Sequence, residues 1–242
     1  MTDSSALLSA AENIGSSFEG LLAKASVQAS GEARVAACLC LTIAELHIGV
    51  IAVLNSRAQS HAPVLIRSMH EALVDLKNIV ENPAHVDQIR FDNAVQALKT
   101  FKGFRDDPEM QDEQDVQKTL GEWFAKEQKT YDELSEKGFK SLTVFDKFRN
   151  GGMTGEYSTA YRFLCSFSHN DLNTLIARHA GDRHLRFTDA LPFETLRSIL
   201  GMTLSLYTRA IETLPEYTDV PAETVKVVTD AADGVWAAAM RS

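Results

Sequence analysis

The chain has 242 residues, of which 45% are hydrophobic and 24% charged, the usual balance for a soluble globular protein with a sizeable core. Its 33 acidic residues outnumber its 24 basic ones, and the formal charge of -9 argues against bulk affinity for DNA or for anionic lipid. A local basic cleft is still compatible with this charge. The 3 cysteines lack the spacing of a zinc site or a disulfide framework, which indicates reduced thiols and a cytoplasmic protein.

Apolar residues recur at three- and four-residue spacing through almost the whole chain, and this pattern predicts an all-α fold. The chain has only 6 prolines and 13 glycines, and it contains no long Pro-, Gly- or Ser-rich linker. We therefore expect residues 1–242 to form a single helical-bundle domain of about seven to eight helices.

The first two helices are predicted over residues 4–29 and 32–57. The N-terminus has no basic region before an apolar core, so it does not resemble a secretory signal. Residues 35–54 are apolar enough to raise the question of a membrane span, but Glu45 and His47 lie near their middle. A charged group at mid-bilayer costs roughly 2.5–3.5 kcal/mol, so this segment is predicted to be a core helix and no membrane partner is expected.

The third helix is predicted to begin with Ser60 as its N-cap and to end near Glu81. Arg67 and Glu71 are four residues apart, so they share a face, and His70 lies one position off that line. Because apolar side chains crowd this helix, we expect the pair to be partly buried.

The fourth helix is predicted from Asn82-Pro83 to about Arg105, and the fifth from Asp107-Pro108 to about Lys137. The acidic start of the fifth helix, DDPEMQDEQD, suits the positive end of a helix dipole. Its acids lack the spacing of an EF-hand, so it is interpreted as a solvated helix start, and no metal site is predicted.

The sixth helix, predicted over residues 156–179, carries the stretch YRFLCSFSHND. Arg162 and His169 are seven residues apart, nearly two turns, so they project from one face with Ser166 between them. Buried charges need partners, so this polar stripe is expected to contact Arg67 or Glu71, and Glu45 and His47 are candidates to join the network.

The longest irregular segment is GDRHLRFTDALP, residues 181–192, where Arg183, His184 and Arg186 form a small basic spot. A seventh helix is predicted from Pro192 to about Leu214, and an eighth from Pro221 to about Met240. One side of the eighth helix could be a packing arm or a homodimer contact. That side comprises Val225, Val228, Ala232, Val235 and Trp236.

The segments LIRSMHEALVDLKNIVENP and YRFLCSFSH resemble the two signatures of a bacterial family filed as domain of unknown function 5677, over about residues 30–180. The resemblance implies an all-helical fold but supplies no reaction. The positions it marks as characteristic are Arg67, Glu71, Tyr161, Ser166 and His169.

The spacing from Arg162 to His169 is also similar to the arginine-to-histidine motif of the HEPN superfamily, helical bundles that often dimerise and include metal-independent ribonucleases. In that chemistry His169 would be the general acid/base and Arg162 would clamp the phosphate. Phe163 follows the arginine where that superfamily usually has a polar residue, which suggests a stripe set too deep for a nuclease, and the net acidity disfavours RNA.

Other enzyme classes lack their motifs. The sequence has no Gly-rich phosphate loop, no HExxH, no GxSxG and no CxxC, and no cofactor is predicted. A Glu-x-x-His pair for a di-metal site is also missing. Ser166 or Ser168 beside His169 lacks the usual arrangement of a nucleophile and its base.

Three interpretations follow from these patterns. In the first, the protein is a cytoplasmic helical bundle that acts by interaction or ligand binding, and the Arg/Glu/His network in its core fixes helix register. In the second, it is a HEPN-like ribonuclease, a toxin or phage-defence effector that acts on RNA. In the third, the same groups and Tyr161, His70 and Ser166 line a pocket for a small molecule.

Overall fold

The computed structural model describes residues 4–110, 113–169, 171–181, 184–187 and 189–241. These residues form helices joined by turns, with two isolated bridge pairs and no strand, so the predicted all-α class is confirmed. The α-helices are α1 (Ser4–Leu22), α2 (Gly31–Leu54), α3 (Ala62–Glu81), α4 (His85–Asp106), α5 (Gln114–Glu136), α6 (Val144–Asn150), α7 (Thr154–Glu156), α8 (Arg162–Ser168), α9 (Leu172–His179), α10 (Phe193–Glu212) and α11 (Ala222–Ala239).

The chain divides into two compact units. The larger comprises residues 1–81 and 148–242, and the smaller comprises residues 82–147. In the larger unit α2 packs most extensively on α3, and α10 packs on α1, α2 and α3. In the smaller unit α4 packs along α5. The prediction of one domain over the whole chain stays a prediction.

Helix α2 is long and apolar enough to cross a membrane by length and composition alone. In the fold, Cys40, Ile43, Val50 and Leu54 are buried where α2 packs on its neighbouring helices. Ser30 caps the start of α2 by accepting a hydrogen bond from the Ala33 N–H at 3.0 Å. This packing favours the predicted core helix.

The turn after α1 is bound to the turn after α10. The Ser26 N–H donates to Asp219 Oδ1 at 2.7 Å, and the Asp219 N–H donates back to the Ser26 carbonyl at 3.0 Å. Gln28 N–H donates to the Tyr217 carbonyl at 3.0 Å, beside the isolated bridge between Val27 and Thr218. These bonds hold the α1–α2 and α10–α11 connections together in the larger unit.

The predicted sixth helix over residues 156–179 is wrong as one continuous element. The chain instead passes from α7 through a π-helical turn, Tyr157–Tyr161, into α8, and then begins again at α9. Asp171 caps α9 by accepting hydrogen bonds from the Asn173 and Thr174 N–H groups at 3.0 and 3.3 Å. An aspartate in that position is a helix-start signal that the apolar periodicity concealed.

The helices outnumber the predicted seven to eight partly because α6 was not predicted. Thr143 and Asp146 cap its start reciprocally, since each backbone N–H donates to the other's side-chain oxygen, at 3.2 and 3.1 Å. Two predicted boundaries were also wrong. The first helix ends at Leu22 rather than near residue 29, and α5 begins at Gln114 rather than at Asp107-Pro108.

Candidate functional site

Arg67, Glu71 and Tyr161 form a closed polar cluster in the larger unit. Arg67 Nη2 lies 2.8 Å from Glu71 Oε1 and donates to Tyr161 Oη at 3.0 Å. The Tyr161 hydroxyl donates in turn to the same Glu71 oxygen at 2.6 Å. Arg67 Cζ is also 5.4 Å from the centroid of the Tyr161 ring, within cation–π range. We call these three residues the Arg–Glu–Tyr cluster.

The Arg–Glu–Tyr cluster is only partly open to solvent. The Arg67 and Glu71 side chains are 24% and 35% exposed to solvent, whereas Tyr161 is 4% exposed. Burial, the hydrogen bond to Glu71 and the charge of Glu71 all raise the pKa of Tyr161 above its ordinary value. The hydroxyl therefore remains protonated at neutral pH and can donate to Glu71.

The π-helical turn brings Tyr161 to α3. Its residues Tyr157 and Tyr161 lie with ring centroids 5.6 Å apart, and both rings pack on Phe148 at 5.4 and 4.7 Å. This aromatic packing fixes the Tyr161 ring while its hydroxyl reaches Arg67 and Glu71. A π-helical turn carries strain that is often retained at functional sites.

His70 directly precedes Glu71 in the sequence and packs on Phe148, the ring that also contacts Tyr161. It is 3% exposed, and its ring stacks on Phe148 with centroids 6.4 Å apart. Burial, together with the positive charge of Arg209, lowers the pKa of His70 to about 4. Arg209 is itself paired with Glu156 at 3.2 Å. His70 is thus a neutral core histidine at physiological pH.

The predicted contact of the Arg162–Ser166–His169 stripe with α3 is not made. Arg162 and His169 are exposed, and no hydrogen bond among the described residues joins either to Arg67 or Glu71. Ser166 Oγ instead donates to the Phe163 carbonyl at 2.7 Å and accepts from Thr174 Oγ1 at 3.0 Å. The neighbouring Tyr161 makes the contact that had been expected of the stripe.

The prediction that this stripe lies deep in the protein is wrong as well. Phe163 is 61% exposed, and His169 lies beyond the last residue of α8, where its N–H donates to the Cys165 carbonyl at 3.1 Å. Glu45 is exposed, and His47 is buried against Tyr207, with ring centroids 5.2 Å apart. The hydrogen bonds of the Arg–Glu–Tyr cluster therefore involve neither of these two residues.

A cavity of about 700 Å³ lies among α3, α8, α9 and α10. Most of its wall is apolar, and we call it the apolar cavity. Its lining includes Pro63, Phe163, Leu164, Phe167, Ile199 and Met202. Phe163 and Phe167 contact each other edge to face, with centroids 5.3 Å apart. Arg162 and His169 are not part of the lining.

The sequence patterns did not reveal the apolar cavity, because residues far apart in the chain line it. The signal that could have helped is Asp171, since a new helix after α8 allows α9 to fold back beside it. Of the predicted basic spot, His184 is exposed, Arg186 is half-buried and Arg183 lies outside the described residues. In the described ranges, no group of three or more His, Cys, Asp or Glu residues is arranged to hold a metal ion.

The profile of a family of unknown function, DUF5677, matches residues 33–184, more than half of the chain. The chain belongs to this family. The match confirms the resemblance carried by the segments around Arg67 and Tyr161. In this DUF5677 protein the Arg–Glu–Tyr cluster lies inside the matched region, whereas α1, α10 and α11 lie outside it.

Comparison of the DUF5677 chain with curated proteins and with solved structures finds no match. The likeness to the HEPN superfamily therefore stays a prediction that rests on Arg162 and His169.

Proposed function

We propose that this DUF5677 protein is a cytoplasmic ligand-binding protein that takes up a small molecule in its apolar cavity. The observation that supports this proposal is the cavity itself. Its volume of about 700 Å³ falls in the range of small-molecule sites, roughly 300–1,000 Å³, and its wall is largely apolar, as such sites usually are.

An exposed aromatic side chain supports a binding role for this cavity. Phe163 is 61% exposed although it lies on the cavity wall. A ligand that covered its ring would remove apolar area from water. This burial contributes roughly 25 cal/mol per Å² to the binding free energy, and the entropy lost on association offsets part of it.

The Arg–Glu–Tyr cluster has a positioning role in this proposal. Tyr161 directly precedes α8, and its hydroxyl is bound to two residues of α3. Helix α8 supplies Phe163, Leu164 and Phe167 to the cavity wall, while α3 supplies Pro63. The cluster thus fixes the two helices that form one side of the cavity.

Binding of the neutral fluorescent probe N-phenyl-1-naphthylamine tests this function. We expect saturable fluorescence enhancement with one site per chain. Ala177 lies on the cavity wall and is exposed, so Ala177→Phe should fill the cavity without disturbing the core and should abolish binding. The matched control is Ala238→Phe at an exposed position of α11, which should bind like the wild type. Unsaturable enhancement, or undiminished binding by Ala177→Phe, would contradict the proposal.

A second candidate, the HEPN-like ribonuclease, is favoured by one observation. Arg162 and His169 are both exposed, so neither is enclosed in the core. In this candidate His169 would transfer the proton as general acid/base and Arg162 would hold the phosphate, in a cleft between two copies of the chain. This chemistry needs both groups to be accessible.

Incubation of the purified protein with single-stranded and double-stranded RNA tests this candidate. Cleavage that His169→Ala abolishes, with the melting temperature unchanged, would support it. The absence of cleavage by the wild type would reject it. Because His169 does not line the apolar cavity, His169→Ala should bind N-phenyl-1-naphthylamine normally, and the two functions are tested separately.

A further inference from the structure

A second cavity, of about 450 Å³, adjoins the apolar cavity in the larger unit. Both cavities are lined by Ser60, Ala177, Arg178, Leu191 and Pro192. The second cavity differs in charge, since it adds Arg57 and Arg186 to Arg178 together with the rings of His61 and His179. We call it the basic cavity.

Arg178 lies at the junction of the two cavities, and among the described residues its hydrogen-bond partner is a histidine rather than a carboxylate. Its Nη2 is 2.8 Å from His61 Nε2. Burial, Arg178 and His179 all lower the pKa of His61, so its ring is neutral at physiological pH and accepts this hydrogen bond. The pair therefore keeps the full positive charge of Arg178.

Another arginine of the basic cavity is paired with a carboxylate. Asp189 is the acidic residue in its described lining, and it pairs with Arg186 at 2.8 Å. Arg178 has no carboxylate partner among the described residues, so its positive charge is not neutralised by an ion pair there, in a chain whose formal charge is -9. A positively charged cavity on an acidic protein selects for anions over neutral molecules.

We propose that the two cavities together bind one amphipathic anion. Its carboxylate or phosphate headgroup would lie in the basic cavity at Arg178, with Arg57 and Arg186 nearby. Its alkyl or aromatic body would lie in the apolar cavity against Phe163 and Phe167. This inference rests on the proposed ligand-binding function and names the chemical class of the ligand.

The guanidinium of Arg178 suits either headgroup. Its planar N–H groups match the spacing of carboxylate and phosphate oxygens, and hydrogen bonds between charged groups are about twice as strong as neutral ones. A headgroup at the junction can contact Arg178 while its body remains in the apolar cavity. The sharing of Arg178 by both linings is therefore the geometric basis of the proposal.

Displacement of N-phenyl-1-naphthylamine by three ligands with the same twelve-carbon chain tests the inference. We expect dodecanoate and dodecyl phosphate to bind about tenfold or more tightly than dodecanol, because only the anions use Arg178. The ratio of the affinities for dodecanoate and dodecyl phosphate identifies the preferred headgroup. The advantage of the anions should shrink as NaCl rises, since salt screens partly exposed charges.

Arg178→Gln should remove most of the difference in affinity between the anions and dodecanol, and should leave the affinity for dodecanol within about twofold of the wild-type value. Arg57→Gln, in the connection between α2 and α3, tests the same cavity if the change in α9 disturbs folding. The matched control is Arg34→Gln, an exposed arginine on α2 outside both linings, which should retain the anion advantage.

The outcomes separate the two proposals. The proposal of an anionic headgroup is overturned if dodecanol binds as tightly as dodecanoate. It is also overturned if Arg178→Gln and Arg57→Gln both keep the wild-type ratio of anion to dodecanol affinity. In either case the proposed binding of a ligand in the apolar cavity is retained. If none of the three ligands displaces the probe, and the probe itself does not saturate, the ligand-binding function fails.

Discussion

The hydroxyl of Tyr161 has two charged partners and fulfils a different role toward each. It accepts a hydrogen bond from Arg67 and donates one to Glu71, so one oxygen atom completes the Arg–Glu–Tyr cluster. Arg67 and Glu71 also contact each other directly at 2.8 Å. The hydroxyl is therefore the polar link between α3 and the π-helical turn, while the ion pair belongs to α3 alone.

Tyr161→Phe should reduce the free energy of unfolding by about 1–2 kcal/mol, because it removes two hydrogen bonds to partly exposed charged groups. Urea denaturation followed by circular dichroism measures this change. Tyr207→Phe is the matched control. Its hydroxyl is buried and has no hydrogen-bond partner among the described residues, so its removal should be neutral or slightly stabilising. Equal losses in the two variants would contradict the assigned role of Tyr161.

Two buried histidines make the fold sensitive to acid. Burial is the first cause that lowers the pKa of His47 and of His70, in each case from 6.5 to about 4. The unfolded chain therefore takes up these protons at a higher pH than the folded chain does. Stability is fully present above about pH 6.5 and is lost as the pH falls toward 4.

His70→Phe should flatten this pH dependence. Each buried histidine contributes up to about 1.4 kcal/mol of unfolding free energy per pH unit in that window. Urea unfolding at several pH values between 4 and 6.5 measures the slope, which should be smaller in the variant. Thr203→Val, which replaces a fully buried but non-titrating group, should keep the wild-type slope. An unchanged slope in His70→Phe would show that His70 takes up its proton equally in both states.

At the scale of elements, α1 and α2 meet where a glycine faces a histidine. A Cβ atom on Gly15 would lie 2.7 Å from His47 Nε2, closer than a non-bonded carbon and nitrogen can approach. His47 cannot easily move away, since it is 2% exposed and packs on Tyr207. The absence of a side chain at Gly15 therefore allows the close approach of the two helices.

Gly15→Ala should lower the melting temperature, because the added methyl group overpacks the contact at a loss of about 1–3 kcal/mol. Gly20→Ala on the same helix is the matched control. A Cβ there meets no atom within 4 Å, so the better helix propensity of alanine should stabilise by about 0.5–1 kcal/mol. Thermal melts by circular dichroism measure both. Stabilisation of both variants alike would mean that His47 does not restrict α1.

The sequence predicted the helices that proline and cap residues delimit. The end of α3 at Glu81 and the beginnings of α10 and α11 after Pro192 and Pro221 all agree with the structure. The break before α9 was missed because apolar periodicity continues through it, although Asp171 caps a new helix. Local patterns also do not register a π-helical turn, which is stabilised here by tertiary contacts of Tyr161.

The sequence revealed part of the candidate site. The four-residue spacing of Arg67 and Glu71 predicted their pairing, and the family resemblance marked Tyr161. The expected partnership with Arg162 and His169 failed, because it assumed one continuous helix with a buried stripe. The apolar cavity was beyond local patterns, since Pro63 and Met202 meet on its wall only through the packing of the helices.

At the scale of the whole molecule, the two compact units differ in their cores. In the smaller unit, residues 82–147, few described residues are buried. They are His85, Gln88, Phe91, Ala94, Leu120 and Leu134. A unit of about 60 residues is marginal as an independent domain even with a larger core. We therefore expect its folding to depend on the rest of the chain.

The 2 tryptophans test this dependence, because Trp123 lies in α5 of the smaller unit and Trp236 in α11 of the larger. The variants Trp123→Phe and Trp236→Phe each leave one fluorescent reporter. Urea unfolding should give coincident midpoints for the two reporters, as expected of a single cooperative domain. Well-separated midpoints, after correction for the stability of each variant by circular dichroism, would divide the chain into two domains.

The bonds between Ser26 and Asp219 join residues 193 positions apart, and this separation has a consequence during synthesis. Helix α1 buries Phe18 against Tyr207 of α10, with ring centroids 5.0 Å apart, and also packs on α11. Ribosomes add roughly 5–20 residues per second, so α1 is translated about 10–40 seconds before these partners exist. Throughout that interval the face of α1 that packs on α10 and α11 is uncovered, and we expect it to be accessible to chaperones that bind apolar segments.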